Sequence, residues 1–209
     1  MSTIAWPSGR AFIPNTAQHR QHHNNQVSVS PLNGFTQTAS LPGMRWGWAM
    51  DWVTIRNGDR PDIEAFVTSL SGREDRVQIY DFQNPTPRGN CNLSGVTVQS
   101  TAAAFAKSIA LAGCGAGKTL KARDWVGLPT GQLVMVVSDA VANGSGVMTL
   151  NIRPMLRSTV LSGGPVTLNS PTALYILTES SISLPRSPGM ANPNLAGPGF
   201  SLEFVESFA

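Results

Sequence analysis

Charge is scarce in this chain: Asp, Glu, Lys and Arg make up 13% of its 209 residues, against about a quarter in an ordinary globular domain. Its net charge of +3 comes from a few charges of both signs and not from a polybasic tract. Proteins that recognise nucleic acid gather Lys and Arg on one face. The one gathering here is Lys107, Lys118, Lys121 and Arg123, with Asp124 the nearby acid, and it reads as solvated surface. Cysteine is scarcer still. Cys91 and Cys114 are too few for a secreted disulfide framework and have no Cys or His at zinc spacing, so free thiols in a reducing compartment are expected. Long apolar runs are also missing. No stretch reaches the roughly 20 residues that span a bilayer, and Met1 to Trp6 lacks the basic and apolar segments of a signal peptide. A protein made in the cytoplasm, without membrane insertion, is expected.

What the chain does have is turn chemistry and short alternating runs, with 20 Gly and 15 Pro. The first 25 residues are polar and without period, and read as a loop or arm. Val27 to Ser30 alternates as a strand, and Pro31 with Asn33-Gly34 stops it. From Met44 to Trp52 every second residue is large and apolar, which puts Trp46, Trp48 and Trp52 on one face of a sheet. Asp59 and Pro61 start a helix, Ile63, Phe66, Val67 and Leu70 fall at helical spacing, and Gly72 ends it. That helix is expected to pack on the Trp face. Val77 to Phe82 is a further strand.

Asn84 to Gly89 carries two prolines and a glycine and marks a domain boundary. Beyond it only short strands follow: Val96–Val98, Ser108–Leu111, Trp125–Leu128, Leu133–Val137, Val147–Ile152, Val166–Leu168 and Leu174–Leu177, with Asn143 to Gly146 as a hairpin turn. Strands so short and so spaced suggest a small, nearly closed β-barrel. Leu184 to Gly199 is rich in Pro and Gly and reads as a loop, a candidate for reaching a neighbouring molecule. Phe200 to Phe204 alternates again and needs a sheet to join. The expected class is mainly β: a β-sandwich domain of residues 1–88 plus 178–209 with one short amphipathic helix, and a β-barrel-like domain inserted at 89–177.

Little in the chain promises chemistry. Ala112 to Thr119 ends like a phosphate-binding G-x-x-x-x-G-K-[ST] loop, but Ala112 stands where the first glycine belongs. No helix pattern follows to supply a positive dipole end, so a Gly-rich turn is the better reading. His19, His22 and His23 are the only histidines; His19 and His23 have the i, i+4 spacing of zinc helices, but in a Gln/Asn-rich segment without an apolar face. Asp59/Asp62 and Glu74/Asp75 sit where helix starts and turns favour acids. An exposed row of Trp46, Trp48 and Trp52 would be a platform for sugars, yet the helix needs that face as core. No catalytic, cofactor-binding or metal residue is assigned, and no cofactor is expected.

The order of these pieces resembles a family. Ser30-Pro31-Leu32-Asn33-Gly34-Phe35, Arg45-Trp46, the run Glu64 to Arg73, and Pro87-Arg88-Gly89 look like the N-terminal half of distal tail proteins of siphophages and prophages. Asp124 to Leu128, Asp139-Ala140, Gly144-Ser145-Gly146, Ile152 to Arg157, Gly164 to Leu168 and Phe200 to Glu206 are similar to the second half. Arg123 departs from the pattern, where glycine is expected before Asp124. The resemblance implies a non-enzymatic virion protein at the tail tip, assembled in the host cytoplasm. It implies a ring, usually a homohexamer, that joins the tail tube protein to the baseplate hub and tail tip proteins, with the tape measure protein a further neighbour. The competing expectation is a carbohydrate-binding host-adhesion module, for which Trp125 is the residue to test.

Overall fold

The structure, a computed structural model, describes residues 2–179, 181–186, 192 and 194–208, the Ser40 side chain excepted. In chain order the elements are β1 (Thr3–Ala5), β2 (Thr16–His22), β3 (Asn25–Val29), β4 (Thr36–Ser40), β5 (Arg45–Arg56), α1 (Arg60–Ser69) and β6 (Arg76–Ile79). There follow β7 (Thr97–Val98), β8 (Ser108–Ala112), β9 (Thr119–Leu120), β10 (Trp125–Gly127), β11 (Leu133–Val136), β12 (Ala140–Val141), β13 (Met148–Arg153), β14 (Ala173–Leu177) and β15 (Ala196–Glu206). The chain is mainly β, with a single α-helix among the described residues, a curled, barrel-like sheet and a larger six-stranded one. It divides into two compact units: residues 1–22, 45–82 and 174–209, and residues 23–44 and 83–173.

In the first unit six strands form one sheet in the order β1-β6-β14-β15-β5-β2. The alternation read from Met44 to Trp52 becomes β5, and Trp46, Trp48 and Trp52 are 1%, 4% and 5% exposed, so that face is core. β15 runs antiparallel along it from Ala196↔Arg56 to Val205↔Gly47, and Trp52 stacks on its cross-strand partner Phe200 with ring centroids 4.8 Å apart. The helix begins after Asp59 with Pro61 in its first turn. It buries Ile63, Phe66, Val67 and the capping Leu70, and each such side chain contributes roughly 1.5–3 kcal/mol on burial. Trp6 is the link to the sheet, meeting Phe66, Phe82 and Phe204 edge to face at 5.3, 5.3 and 5.9 Å.

In the second unit five strands pair in the order β10-β11-β13-β8-β7. Residues 165 to 167 bridge both edges of this sheet, Thr97↔Pro165 on one side and Gly127↔Thr167 on the other, which curls it on itself. β9 and β12 form a second, two-stranded sheet. The core is aliphatic, built on Val98, Ile109, Leu111, Val126, Val134, Leu150, Ile152 and their neighbours. β3 and β4 pair only with each other, as a hairpin.

Several sequence expectations change. The first 25 residues are not a loop: β2 pairs with β5 through seven residues, Thr16↔Asp51 to His22↔Arg45. Its polar sequence hides it, because an edge strand held by the backbone ladder needs no apolar alternation. The domain boundary expected after residue 177 lies earlier, since β14 joins the larger sheet as the neighbour of β15, Tyr175↔Glu206 to Leu177↔Phe204. Residues 23–44 group with the second unit, not the first. Val166 to Leu168 makes bridges, not a strand. The turn at Asn143 to Gly146 is present, with Asn143 Oδ1 accepting from the Ser145 and Val147 amides, but β12, which leads into it, pairs with β9.

The Pro/Gly loop also ends sooner, because residues 196–199 already belong to β15. Gly199 is skipped by the pairing, which passes from Pro198↔Thr54 to Phe200↔Trp52, and a Cβ there would lie 1.6 Å from the Trp52 carbonyl oxygen. Only glycine fits so close an approach. Buried Arg60 donates to the carbonyls of Pro185 and Pro198 and so ties both flanks of the loop. Residues 187–191 and 193 lie outside the described residues.

Candidate functional site

The segment that resembled a phosphate loop is a turn between strands. Gly113, Gly115 and Gly117 all take left-handed φ, of 79°, 89° and 69°, and the chain enters β9, not a helix. Four of its amides are committed internally: Cys114 N–H donates to Gly146 O, Gly117 N–H to Ala142 O, Lys118 N–H to Gly115 O and Thr119 N–H to Asn90 Oδ1. Lys118 donates to Asn92 Oδ1 at 2.6 Å. A phosphate would have to displace these partners, and without a following helix there is no dipole end to favour it.

The basic stretch is likewise dispersed by the fold. Lys121 pairs with Asp139 at 2.8 Å, which lowers the Asp139 pKa through that hydrogen bond and a second one from the Ala122 amide. Arg123 points to Gln83. Asp124, which the sequence offered as counter-charge, is buried and does something else: its carboxylate accepts the backbone amides of Arg88, Gly89 and Lys121 at 2.8, 3.2 and 2.7 Å. The Pro-Gly break at the start of the second unit is thereby anchored to its β-domain. A Cβ on Gly89 would meet Thr119 O at 2.1 Å, so this approach also requires glycine. Arg123 has φ 75°, the conformation that glycine adopts without cost.

The histidines do not converge. His19 and His22 lie on β2, where successive residues face opposite ways, and the helical i, i+4 geometry is gone. The His19 ring packs on Trp46 and Trp48 at 4.8 and 5.1 Å, and a Cβ on Gly47 would meet His22 Nε2 at 2.7 Å. Among the described residues no group of three His, Cys, Asp or Glu could hold a metal. The tryptophan platform is equally closed: Trp125 is buried along with Trp46, Trp48 and Trp52, so none of the four presents an open ring face for a sugar. No described helix is long and apolar enough to cross a membrane.

What remains open is the β3–β4 hairpin and the edge of the larger sheet. The hairpin closes through Ser30 N–H to Phe35 O and Gly34 N–H to Ser30 O, with Gly34 at φ 69° and Asn33 Oδ1 accepting the Phe35 amide. Its cross-strand pairs Val27↔Thr38 and Val29↔Thr36 are exposed, and at the tip Leu32 and Phe35 are 95% and 73% exposed. No Asp, Glu, Lys or Arg occurs between residues 23 and 44. β2 ends the larger sheet, so half of its backbone polar groups face outward. No protein-family model and no curated protein matches this chain. Val27 to Ser30 and its turn were legible as a strand and a stop, but the pairing partner Thr36–Ser40 was not, because its polar residues carry no apolar alternation. The signal that finds the hairpin is the absence of charge over its whole length.

Proposed function

We propose that this chain is a structural subunit of a phage tail, a closed hexameric ring between the tail tube and the baseplate hub or tail tip. The observation that carries the reading is the uncharged hairpin with its exposed apolar residues Val27, Val29, Leu32 and Phe35. A lone two-stranded hairpin is marginal in water, and the exposed valines of its first strand with Leu32 and Phe35 at its tip ask for cover. An open sheet edge such as β2 invites pairing with another chain. Identical heterologous contacts whose rotation closes make a ring, and a ring leaves no such surface unused. The order of sequence pieces resembling distal tail proteins supports the same reading. The protein is then non-enzymatic and needs no cofactor. Its low charge suits a channel that lets DNA pass without gripping it. It is assembled in the host cytoplasm and ends in the virion, against the tube, hub and tape measure proteins.

Light scattering of the purified chain at high concentration, and imaging of the intact particle, test this. The expected result is a ring in solution or on its neighbours, and its loss when residues 25–40 are replaced by a short Gly/Ser turn while the melting temperature holds. A monomer in solution that is also absent from the tail would end the proposal.

A further inference from the structure

The first unit holds a polar cleft as well as its open sheet edge. The cleft has a volume of about 600 Å³, inside the range of roughly 300–1,000 Å³ that small ligands occupy, and its lining residues all belong to that unit. It exists because β5 outruns the core. The face that carries Trp46, Trp48 and Trp52 continues at period two to Thr54 and Arg56, which are exposed. The short helical turn Arg10–Phe12 and the residues after it form another wall. They are held there by the Trp52 indole N–H, which donates to Ala11 O at 3.1 Å, and by the Val53 amide, which donates to Asn15 Oδ1 at 2.9 Å. Asn57 N–H donates to Leu195 O and Asn57 Nδ2 to Asn192 O, which ties down the stretch that brings Asn194 to the cleft.

We propose that this cleft binds an acidic saccharide, with Arg10 and Arg56 holding its carboxylate or phosphate oxygens. The placing of charge points there. Arg20 pairs with Glu203 at 2.8 Å, Arg186 pairs with Glu64, and buried Arg60 donates to two carbonyls. Arg10 and Arg56 are exposed at the cleft, and among the described residues neither guanidinium has a hydrogen bond or an ion pair. The guanidinium fork matches carboxylate and phosphate oxygens in paired bonds. Asp59 is the third charge of the lining; it stands just before α1, and its side chain makes no capping hydrogen bond, which leaves the carboxylate to accept from a hydroxyl. Two arginines against one aspartate suit a ligand with one anionic group on a hydroxylated body. Thr54, Asn194 and the Nδ2 of Asn15 supply the neutral donors and acceptors that sugar hydroxyls need. A nucleotide fits less well, since the one aromatic residue of the lining, Trp52, is 5% exposed with its ring stacked on Phe200, and no open face is left for a base. The site is complete within one unit and does not rest on ring formation.

The test is calorimetric titration of the full-length chain at low salt, with trigalacturonate as the carboxylate probe, glucose-6-phosphate as the phosphate probe and maltotriose as the neutral control. The expected result is saturable binding of at least one acidic probe, with a dissociation constant below about 1 mM, and none of maltotriose. Arg10→Gln and Arg56→Gln should each weaken that binding about tenfold or more, at an unchanged melting temperature, because neither side chain is bonded to the fold. Arg73→Gln, at an exposed arginine outside the cleft, should leave binding as it was. Which acidic probe binds separates a uronate from a sugar phosphate. No saturation by either acidic probe, equal binding of maltotriose, binding unchanged in Arg10→Gln or Arg56→Gln, or an equal loss in Arg73→Gln overturns the proposal.

Discussion

The two units are built on different side chains. The first rests on long strands and rings: Trp6, Trp48, Phe66, Phe82 and Phe204 touch in a chain of edge-to-face contacts. The core cluster of the second is aliphatic, with Trp125 buried outside it, its strands have at most six residues, and buried polar side chains fasten its turns. One unit depends on large packed surfaces, whose loss leaves large cavities. The other depends on a few anchors, each satisfying several amides whose desolvation would otherwise be uncompensated. Four of the five tryptophans lie in the first unit, so fluorescence chiefly follows that unit, and hydrogen exchange can follow the second.

The largest effect should come from Trp48→Ala, at about 3 to 5 kcal/mol, the usual cost of truncating a buried ring. Thermal unfolding read by tryptophan emission should move sharply down. A change within about 0.5 kcal/mol, as at a surface position, would mean that the aromatic network does not hold the first unit. Next is Asp124→Ala, which leaves three amides without their acceptor. A cost of about 3 kcal/mol is expected, summing charge-assisted bonds at the lower end of their range and allowing for water at the opened site. It should appear as faster amide exchange at Arg88, Gly89 and Lys121, with the emission of the first unit's tryptophans, read in a Trp125→Phe background, little changed. Emission falling with it would break the contrast between the units. The smallest effect is a gain: Arg123→Gly removes the strain of φ 75°, worth about 1 kcal/mol or somewhat less once the added freedom of the unfolded chain is counted. A chemical-denaturation midpoint that falls would show that the Arg123 side chain contributes more than its backbone costs.

Arg123 also shows how sequence and structure meet. The missing glycine before Asp124 was visible as a departure from a pattern, and the left-handed φ at that position gives it a physical meaning. β5, α1 and β15 were legible because each sets its large apolar residues at a regular period, even though small Gly47 and Ala49 on the other face of β5 are buried too. The joining of β15 to the N-terminal sheet followed from an apolar terminal strand that lacked a partner. β2 was not legible, because its stability is in a ladder whose other half is β5, and ladders leave no mark on side chains. The home of β14 was not legible either, since its alternation fits any sheet. Gly199 misled in the opposite direction: the residue that permits close pairing with β5 is the one that looks most like loop. Of the candidate chemistry, the glycine turn and its lack of a following helix were read from sequence. The use of Asp124 as a backbone anchor was not, because an acid beside lysines suggests an ion pair.

The hairpin's lack of charge has a consequence for how any contact it makes responds to conditions. Coulomb attraction weakens as salt is added, but an arm without Asp, Glu, Lys or Arg from residue 23 to 44 has almost none to lose. Its hold on a neighbour would come from apolar burial and backbone hydrogen bonds. Burial of that kind strengthens in sulfate and weakens in the cold and in urea. Dilution into fresh or saline water would leave such a joint intact, whereas chilling would loosen it first.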